Sequence, residues 1–367
     1  MMTMRQTVFA IAAAALIAPA ASAQQTHRLT AEKHNEYGIV YTLPNTALAV
    51  TVKARKTVAE PGPFHQYAKQ CLGKADVVNA PSISWEITDV EITPYGVPDA
   101  ESQYLMQLKP GAVAYLNVAD NDMLLSINTD DTDYDEPQAS RAVVATVGDA
   151  DYDPNAYLKF VGEDFLASQS SVQQARMLAE GILEVRDAKI ELTRGTADNM
   201  PTDGRQLELM LNSLSEQEEA MTKAFTGNTY SQEMEATYTV LPTDEGRRVL
   251  LRLSDFDGFT DADDLAGAPM YFDLKVTRRG ELPVDDKGVE KKLPKDAVIY
   301  NVPGRARVTL TWRGRTLLEQ EVEMSQFGVQ FGLNPLLFTD RKAPSYVIFN
   351  PATGGIRSIG PVSDLQQ

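Results

Sequence analysis

The segment S-S-V-Q-Q-A-R-M-L-A-E-G-I-L-E-V-R-D-A-K-I-E-L-T-R-G, residues 170–195, decides how the fold is read. Ser170 and Gln173 have the spacing of a capping box, in which side chains satisfy the free amides at a helix start. Ala175, Leu178, Ala179, Ile182, Val185 and Leu192 then recur at steps of three and four, one face of a helix. Gly195 supplies a left-handed stop. After the polar loop G-T-A-D-N-M-P-T, residues 195–202, a second helix begins, capped by Asp203 or Thr202 with Gln206 following. Its stripe is Leu207, Met210, Leu211, Leu214, Met221 and Phe225, and Gly227 ends it. Each run has about 23 residues and spans ~35 Å at ~1.5 Å per residue. Matched lengths and a short loop predict an antiparallel helical hairpin. A hairpin this long needs a further surface, so it is expected to lie against strands. Capping and turn demands account for nearly every residue of the loop except Met200.

On both sides of the hairpin the period drops to two. Y-G-I-V-Y-T-L-P and A-L-A-V-T-V-K-A-R-K, within residues 37–58, read as strands around Pro44 and Asn45. Further strands are predicted at 82–92, 103–108, 112–117 and 123–128, then an acidic loop at 129–137. Beyond the hairpin, Tyr230, Gln232, Met234, Ala236, Tyr238 and Val240 alternate with polar residues. Strands follow at 249–253, 271–277 and 297–300, with a charged loop at 285–295. Arg313-Gly314-Arg315 and N-P-A-T-G-G (residues 350–355) are turn signals of two more hairpins. The predicted class is α+β: β-sandwich-like N- and C-terminal regions joined by a long antiparallel helical hairpin. The expected segments are a signal peptide (1–23), a mainly-β region (24–160), the hairpin (161–228) and a second mainly-β region (229–367).

The leader is read from Arg5, the apolar run from Val8 to Ala18, and Ala21-Ser22-Ala23 at the cleavage positions. It implies export, to the periplasm or the cell exterior. No later run reaches 18 apolar residues, so no transmembrane segment is expected in the mature chain. The chain carries 51 acidic against 34 basic residues, a net charge of −17, which disfavours nucleic acid and anionic lipid as direct partners. Its one cysteine, Cys71, excludes an internal disulfide and sits on an apolar helical face with Phe64, Tyr67, Ala68 and Leu72.

The chemical motifs are few. His27, His34 and His65 form no ligand pair, and no G-x-S-x-G, P-loop or G-x-G-x-x-G is present. One stretch has a defined geometry: D-F-D-G-F-T-D-A-D-D, residues 255–264. With Gly258 at position 6 of an EF-hand-like loop, Asp255, Asp257, Asp261 and Asp264 become candidate calcium ligands at positions 3, 5, 9 and 12. Leu253 would hold position 1, which cannot ligate, and the flanks read as strands. Against calcium stands an exposed acidic loop with an ordinary Asp-Gly turn. No other cofactor is expected, and no catalytic residue is singled out.

A set of landmarks recurs in order: Y-T-L-P, P-G-P-F-x-x-Y-A, D-N-M-P-T-D-G, L-N-S-L-S-E-Q-E-E-A-M-T-K-A-F-T-G, D-D-L-A-G-A-P-M-Y, V-P-G-R-A-R-V-T-L, Q-F-G and F-N-P-A-T-G-G-I. In this order the chain resembles an exported bacterial family, domain of unknown function 4831. The resemblance implies one shared architecture through nearly the whole mature chain, an envelope setting, and no assigned activity. Residues 255–264 depart from it by being more acidic. The expected function is a non-catalytic envelope scaffold or binding protein, its partner an envelope protein or a glycan. The alternative is a secreted hydrolase that uses paired carboxylates on glycans. Trp85, Tyr95 and Trp312 are candidates for core filling or for a glycan surface.

Overall fold

The computed structural model describes residues 38–106, 115–130, 134–294, 296–340 and 342–366. The expected signal peptide at 1–23, with His27 and His34, lies outside the described residues. In chain order, β1 (Ile39–Glu60) is followed by α1 (Ala68–Leu72), β2 (Ser82–Met106), β3 (Leu116–Val118), β4 (Leu124–Ile127) and β5 (Ser140–Val147). Three helices come next: α2 (Glu163–Ala167), α3 (Ser171–Arg194) and α4 (Gly204–Thr226). The remainder is β6 (Asn228–Val240), β7 (Gly246–Ser254), β8 (Gly258–Thr260), β9 (Ala268–Arg278), β10 (Val298–Trp312), β11 (Arg315–Leu333), α5 (Leu336–Thr339), β12 (Ser345–Phe349) and β13 (Ile356–Pro361).

Among the described residues the protein is mostly β, in three antiparallel sheets ordered β2–β1–β6–β5, β11–β10–β9–β7–β8 and β13–β12–β4–β3. The first and third draw strands from both sides of the hairpin in sequence. β1 pairs with β2 along nearly its whole length, and with β6 from Leu48↔Val240 to Glu60↔Asn228. Pro44-Asn45 does not divide β1; it falls at a register shift within one strand. Likewise the run at 82–92 and residues 103–106 belong to the single strand β2, the rest of the run to 108 lying outside the described residues. β5 carries no alternating apolar pattern, since all its residues are exposed, and it was not expected.

At about 3.3 Å per residue β1 is ~70 Å long and passes through two cores. Leu48, Val50, Val52 and Ala54 join Leu251, Phe272, Val308 and Met324 in a cluster shared by the first two sheets. Tyr41 and Leu43 join Ile127, Ile299, Phe338 and Phe349 in a second, around the third sheet.

Both hairpin helices start and stop where their caps require. Ser170 accepts the Gln173 N–H at 3.4 Å, and Asp203 accepts that of Gln206 at 2.7 Å. Gly195 (φ 73°) and Gly227 (φ 72°) end them with positive φ. The expected stripe of α3 is buried at Ala175, Leu178, Ala179, Ile182 and Leu192. That of α4 is buried only at Met221 and Phe225, with Ala224 beside them.

The hairpin does not lie against the strands. Its root packs on α1, α2 and the 3-10 turns His65–Tyr67 and Ala156–Phe160, through Phe64, Ala68, Tyr157 and Phe165. At Gly62 a Cβ would stand 2.3 Å from the Ala224 carbonyl oxygen, so only glycine lets β1 exit against α4. Among the described residues the distal parts of the two helices pack chiefly on each other.

Candidate functional site

The acidic stretch 255–264 lies on the turn from β7 to β8 and the segment after it, flanked by strands. Asp255 faces Arg313 at 3.5 Å, and its backbone carbonyl accepts the Trp85 indole N–H at 3.0 Å. The Asp257 carboxylate accepts from Ser254 Oγ at 3.3 Å, closing the turn. Asp261 forms an ion pair with Arg141 of β5. Asp264 accepts the Ala266 N–H at 2.9 Å. The four carboxylates thus serve two arginines and two local turns. Among the described residues no three His, Cys, Asp or Glu side chains stand together as ligands for a metal ion. The four positions at EF-hand spacing therefore stand on a strand-flanked turn and the segment after it, each with a partner of its own.

The other residues singled out by sequence serve architecture. His65 Nδ1 lies 2.8 Å from the Gly62 carbonyl oxygen, in the turn leading to α1. Cys71 is half-buried against the hairpin's root cluster. Trp85 fills the core between the first two sheets, Tyr95 covers Ala47 and Ala49, and half-buried Trp312 packs on the same core as Trp85. Arg313 lies over the Trp312 ring at 4.4 Å.

Several of the landmark motifs converge where β1 outruns β6. Gln326 Oε1 accepts the Thr46 N–H at 3.1 Å, and Gln326 Nε2 donates to the carbonyls of Thr46 (2.9 Å) and Pro242 (2.8 Å). Asn301 Nδ2 donates to the carbonyls of Pro44 (3.0 Å) and Thr353 (2.8 Å). At Gly328, two residues past Gln326, a Cβ would stand 2.2 Å from the Val302 carbonyl oxygen, so the paired strands β10 and β11 come into close backbone contact at their register shift. Y-T-L-P, V-P-G, Q-F-G and N-P-A-T-G-G are thereby one packed junction, which accounts for their residue types without any chemistry.

Two features remain free to meet another molecule. The first is a cleft of about 590 Å³ beside the third sheet, lined by Tyr115, Asn128, Thr129, Asp130, Thr339, Asp340, Pro344 and Val362. Its walls come from three chain segments, and Asn128 ties two of them together. Asn128 Oδ1 accepts the Tyr115 N–H at 3.0 Å, and its Nδ2 donates to the carbonyls of Phe338 (3.0 Å) and Ser345 (2.8 Å). No local pattern announces this site, because Asp130 and Asp340 are brought together only by the pairing of β4 with β12.

The second is the distal hairpin. Leu183 (53% exposed), Ile190 (43%) and Leu209 (63%) are large apolar side chains left on its surface. The arm is stiffened by Glu218 of α4, which receives Arg186 at 2.6 Å and Lys189 at 3.0 Å from α3. The Arg186 hydrogen bond holds the Glu218 carboxyl below the usual glutamate range, against the opposing effect of burial and with help from Lys189. At the root, Lys223 pairs with Asp149 at 2.8 Å and Glu219 at 2.9 Å. Burial works against the Lys223 charge, yet these hydrogen bonds outweigh it and raise its pKa. Among the described residues no helix is long and apolar enough to cross a membrane.

The family described as "Domain of unknown function (DUF4831)" matches residues 37–357. No curated protein and no solved structure matches the chain.

Proposed function

Because the chain belongs to the DUF4831 family, whose description names no activity, we propose on the chain's own geometry that it is an exported, non-catalytic envelope scaffold or binding protein. The observation that supports this is the hairpin arm, which leaves the sheets and keeps Leu183, Ile190 and Leu209 exposed. An apolar surface on a stiff projecting element is suited to docking a partner. The first two sheets meet in one core, as the two layers of a β-sandwich do, and the arm stands on the short helices α1 and α2. Export rests on the leader at 1–23 and places the protein in the periplasm or outside the cell. The test is a photo-crosslinking residue at Leu183 or Leu209 in intact cells. A reproducible envelope partner is expected, and recovery of none from either position overturns the docking role.

Carboxylate-dependent hydrolysis of glycans is the second function, favoured by one observation: Asp130 and Asp340 line the same cleft as Tyr115. It requires that Asp130→Asn and Asp340→Asn each abolish release of reducing ends from envelope glycans. Absence of any such release from the unaltered protein rules it out.

A further inference from the structure

We propose that the cleft beside β4 is a saccharide-binding site that takes neutral or amino sugars and rejects acidic ones, with Asn128 as the residue that keeps it in shape. The inference asks only for binding, so it stands apart from both the docking arm and glycan cleavage.

Shape comes first. Asn128 has φ 58°, a left-handed conformation that asparagine tolerates better than most residues. Its backbone N–H donates to the Tyr115 carbonyl at 2.7 Å, so Asn128 and Tyr115 are bonded through both N–H groups. The two Nδ2 bonds then fasten the same side chain to the Phe338 and Ser345 carbonyls. On the far wall the Val362 N–H donates to the Pro344 carbonyl at 2.9 Å, holding the C-terminal segment in place. A ligand would meet walls already fixed relative to one another, which lowers the entropy cost of binding.

The lining then selects the ligand. The volume falls in the range of small-molecule sites, roughly 300–1,000 Å³. Its polar lining residues are Asp130, Asp340, Thr129, Thr339 and Tyr115, the Thr339 hydroxyl already donating to the Pro335 carbonyl at 3.3 Å, with Pro344 and Val362 as apolar surface. One oxygen of Asp340 already accepts the Lys342 N–H at 2.9 Å, which orients the carboxylate. Among the described residues that line it there is no lysine or arginine. Such a cleft is rich in acceptors, in a chain of net charge −17. Its match is a ligand rich in O–H or N–H donors and free of negative charge. Hydroxyl donors to carboxylates form the stronger, charge-assisted class of hydrogen bond. The Tyr115 side chain, 55% exposed, offers a ring for the C–H face of a sugar. A uronic acid would set its carboxylate against those of Asp130 and Asp340.

The experiment is calorimetric and NMR titration of the mature protein with neutral trisaccharides (chitotriose, maltotriose, xylotriose), with de-N-acetylated chitotriose, and with trigalacturonate. At least one neutral or amino trisaccharide should bind at millimolar concentration or below, with trigalacturonate at least about 10-fold weaker. Tyr115→Ala and Asp130→Asn, both exposed, should each weaken binding about 10-fold at unchanged Tm. Asn128→Ala should weaken binding and lower Tm together. No binding by any neutral or amino trisaccharide overturns the proposal. So does equal binding of trigalacturonate, or binding that survives both Tyr115→Ala and Asp130→Asn.

Discussion

Gln326 pairs with the backbone of Thr46 as a neighbouring strand would, its Oε1 accepting the Thr46 N–H at 3.1 Å and its Nε2 donating to the Thr46 carbonyl at 2.9 Å. The β1–β6 ladder reaches only to Leu48↔Val240, yet Thr46 is fully buried. A buried amide must find a partner, and here a side chain from β11 supplies the missing rung. The same Nε2 reaches Pro242 at 2.8 Å, just past the end of β6.

Removing this rung leaves buried groups unpaired. Gln326→Ala is expected to cost about 3 kcal/mol of stability, since each orphaned buried group costs ~1–3 kcal/mol. Urea denaturation at constant m-value measures it. A loss below about 0.5 kcal/mol, the size of a neutral surface change, would show that Thr46 is served otherwise.

Tyr41 does for β10 what Gln326 does for β1. Its hydroxyl accepts the Ile299 N–H at 2.8 Å and donates to the Ile299 carbonyl at 3.3 Å. Burial raises the Tyr41 pKa, against the hydrogen bond to Ile299. Tyr41→Phe keeps the ring and removes both bonds, so a loss of about 1–3 kcal/mol is expected. An unchanged unfolding midpoint would contradict it.

The arm carries its own pH response. The Glu218 pKa is lowered from 4.5 in the folded protein, so its contribution is full above that value and lost as pH falls through the lowered one. Glu218→Gln should cost on the order of 1 kcal/mol at pH 7, and the difference should vanish in strong acid. Melts of both proteins from neutral to acid pH test this, and a difference that persists at the acid end would refute the assignment.

Asp261 is committed to Arg141, which also donates to the Phe259 carbonyl at 3.1 Å and so clips the edge strand β5 to β8. Arg141→Ala should lower Tm, while millimolar calcium should leave Tm within about 1 °C of its value in chelator. A calcium-dependent rise in Tm of several degrees would reinstate the ion site.

Leu183→Glu with Leu209→Glu should leave the protein as stable as before, within about 0.5 kcal/mol, because both side chains are already exposed. The same pair should abolish crosslinks from the arm. Crosslinks that survive would move the docking surface elsewhere.

The hairpin's limits were legible from the sequence residue by residue. Ser170, Gly195, Asp203 and Gly227 act through hydrogen bonds to amides and carbonyls within a few positions, which a local pattern encodes completely. The turn at Arg313-Gly314 is equally local, with φ 48° and 76°. The sequence leaves Trp85, Tyr95 and Trp312 open between core filling and a glycan surface, and the structure packs Trp85 and Tyr95 in cores and half-buries Trp312 against one.

Other features were not legible, and for one reason. β1 finds β6 across the whole hairpin, Asp130 finds Asp340 across some two hundred residues, and Asp261 finds Arg141 across 120. Register between distant strands depends on which apolar faces bury together, and many registers satisfy the same alternating pattern. The sequence by itself determined the two hairpin helices, their caps, several tight turns and the mostly-β character of the rest, because these depend on neighbours in the chain. Only the tertiary structure decided that the hairpin stands on short helices, that four aspartates at calcium spacing face different partners, and that a cleft opens beside β4. Each of these depends on which surfaces of distant segments exclude water from one another.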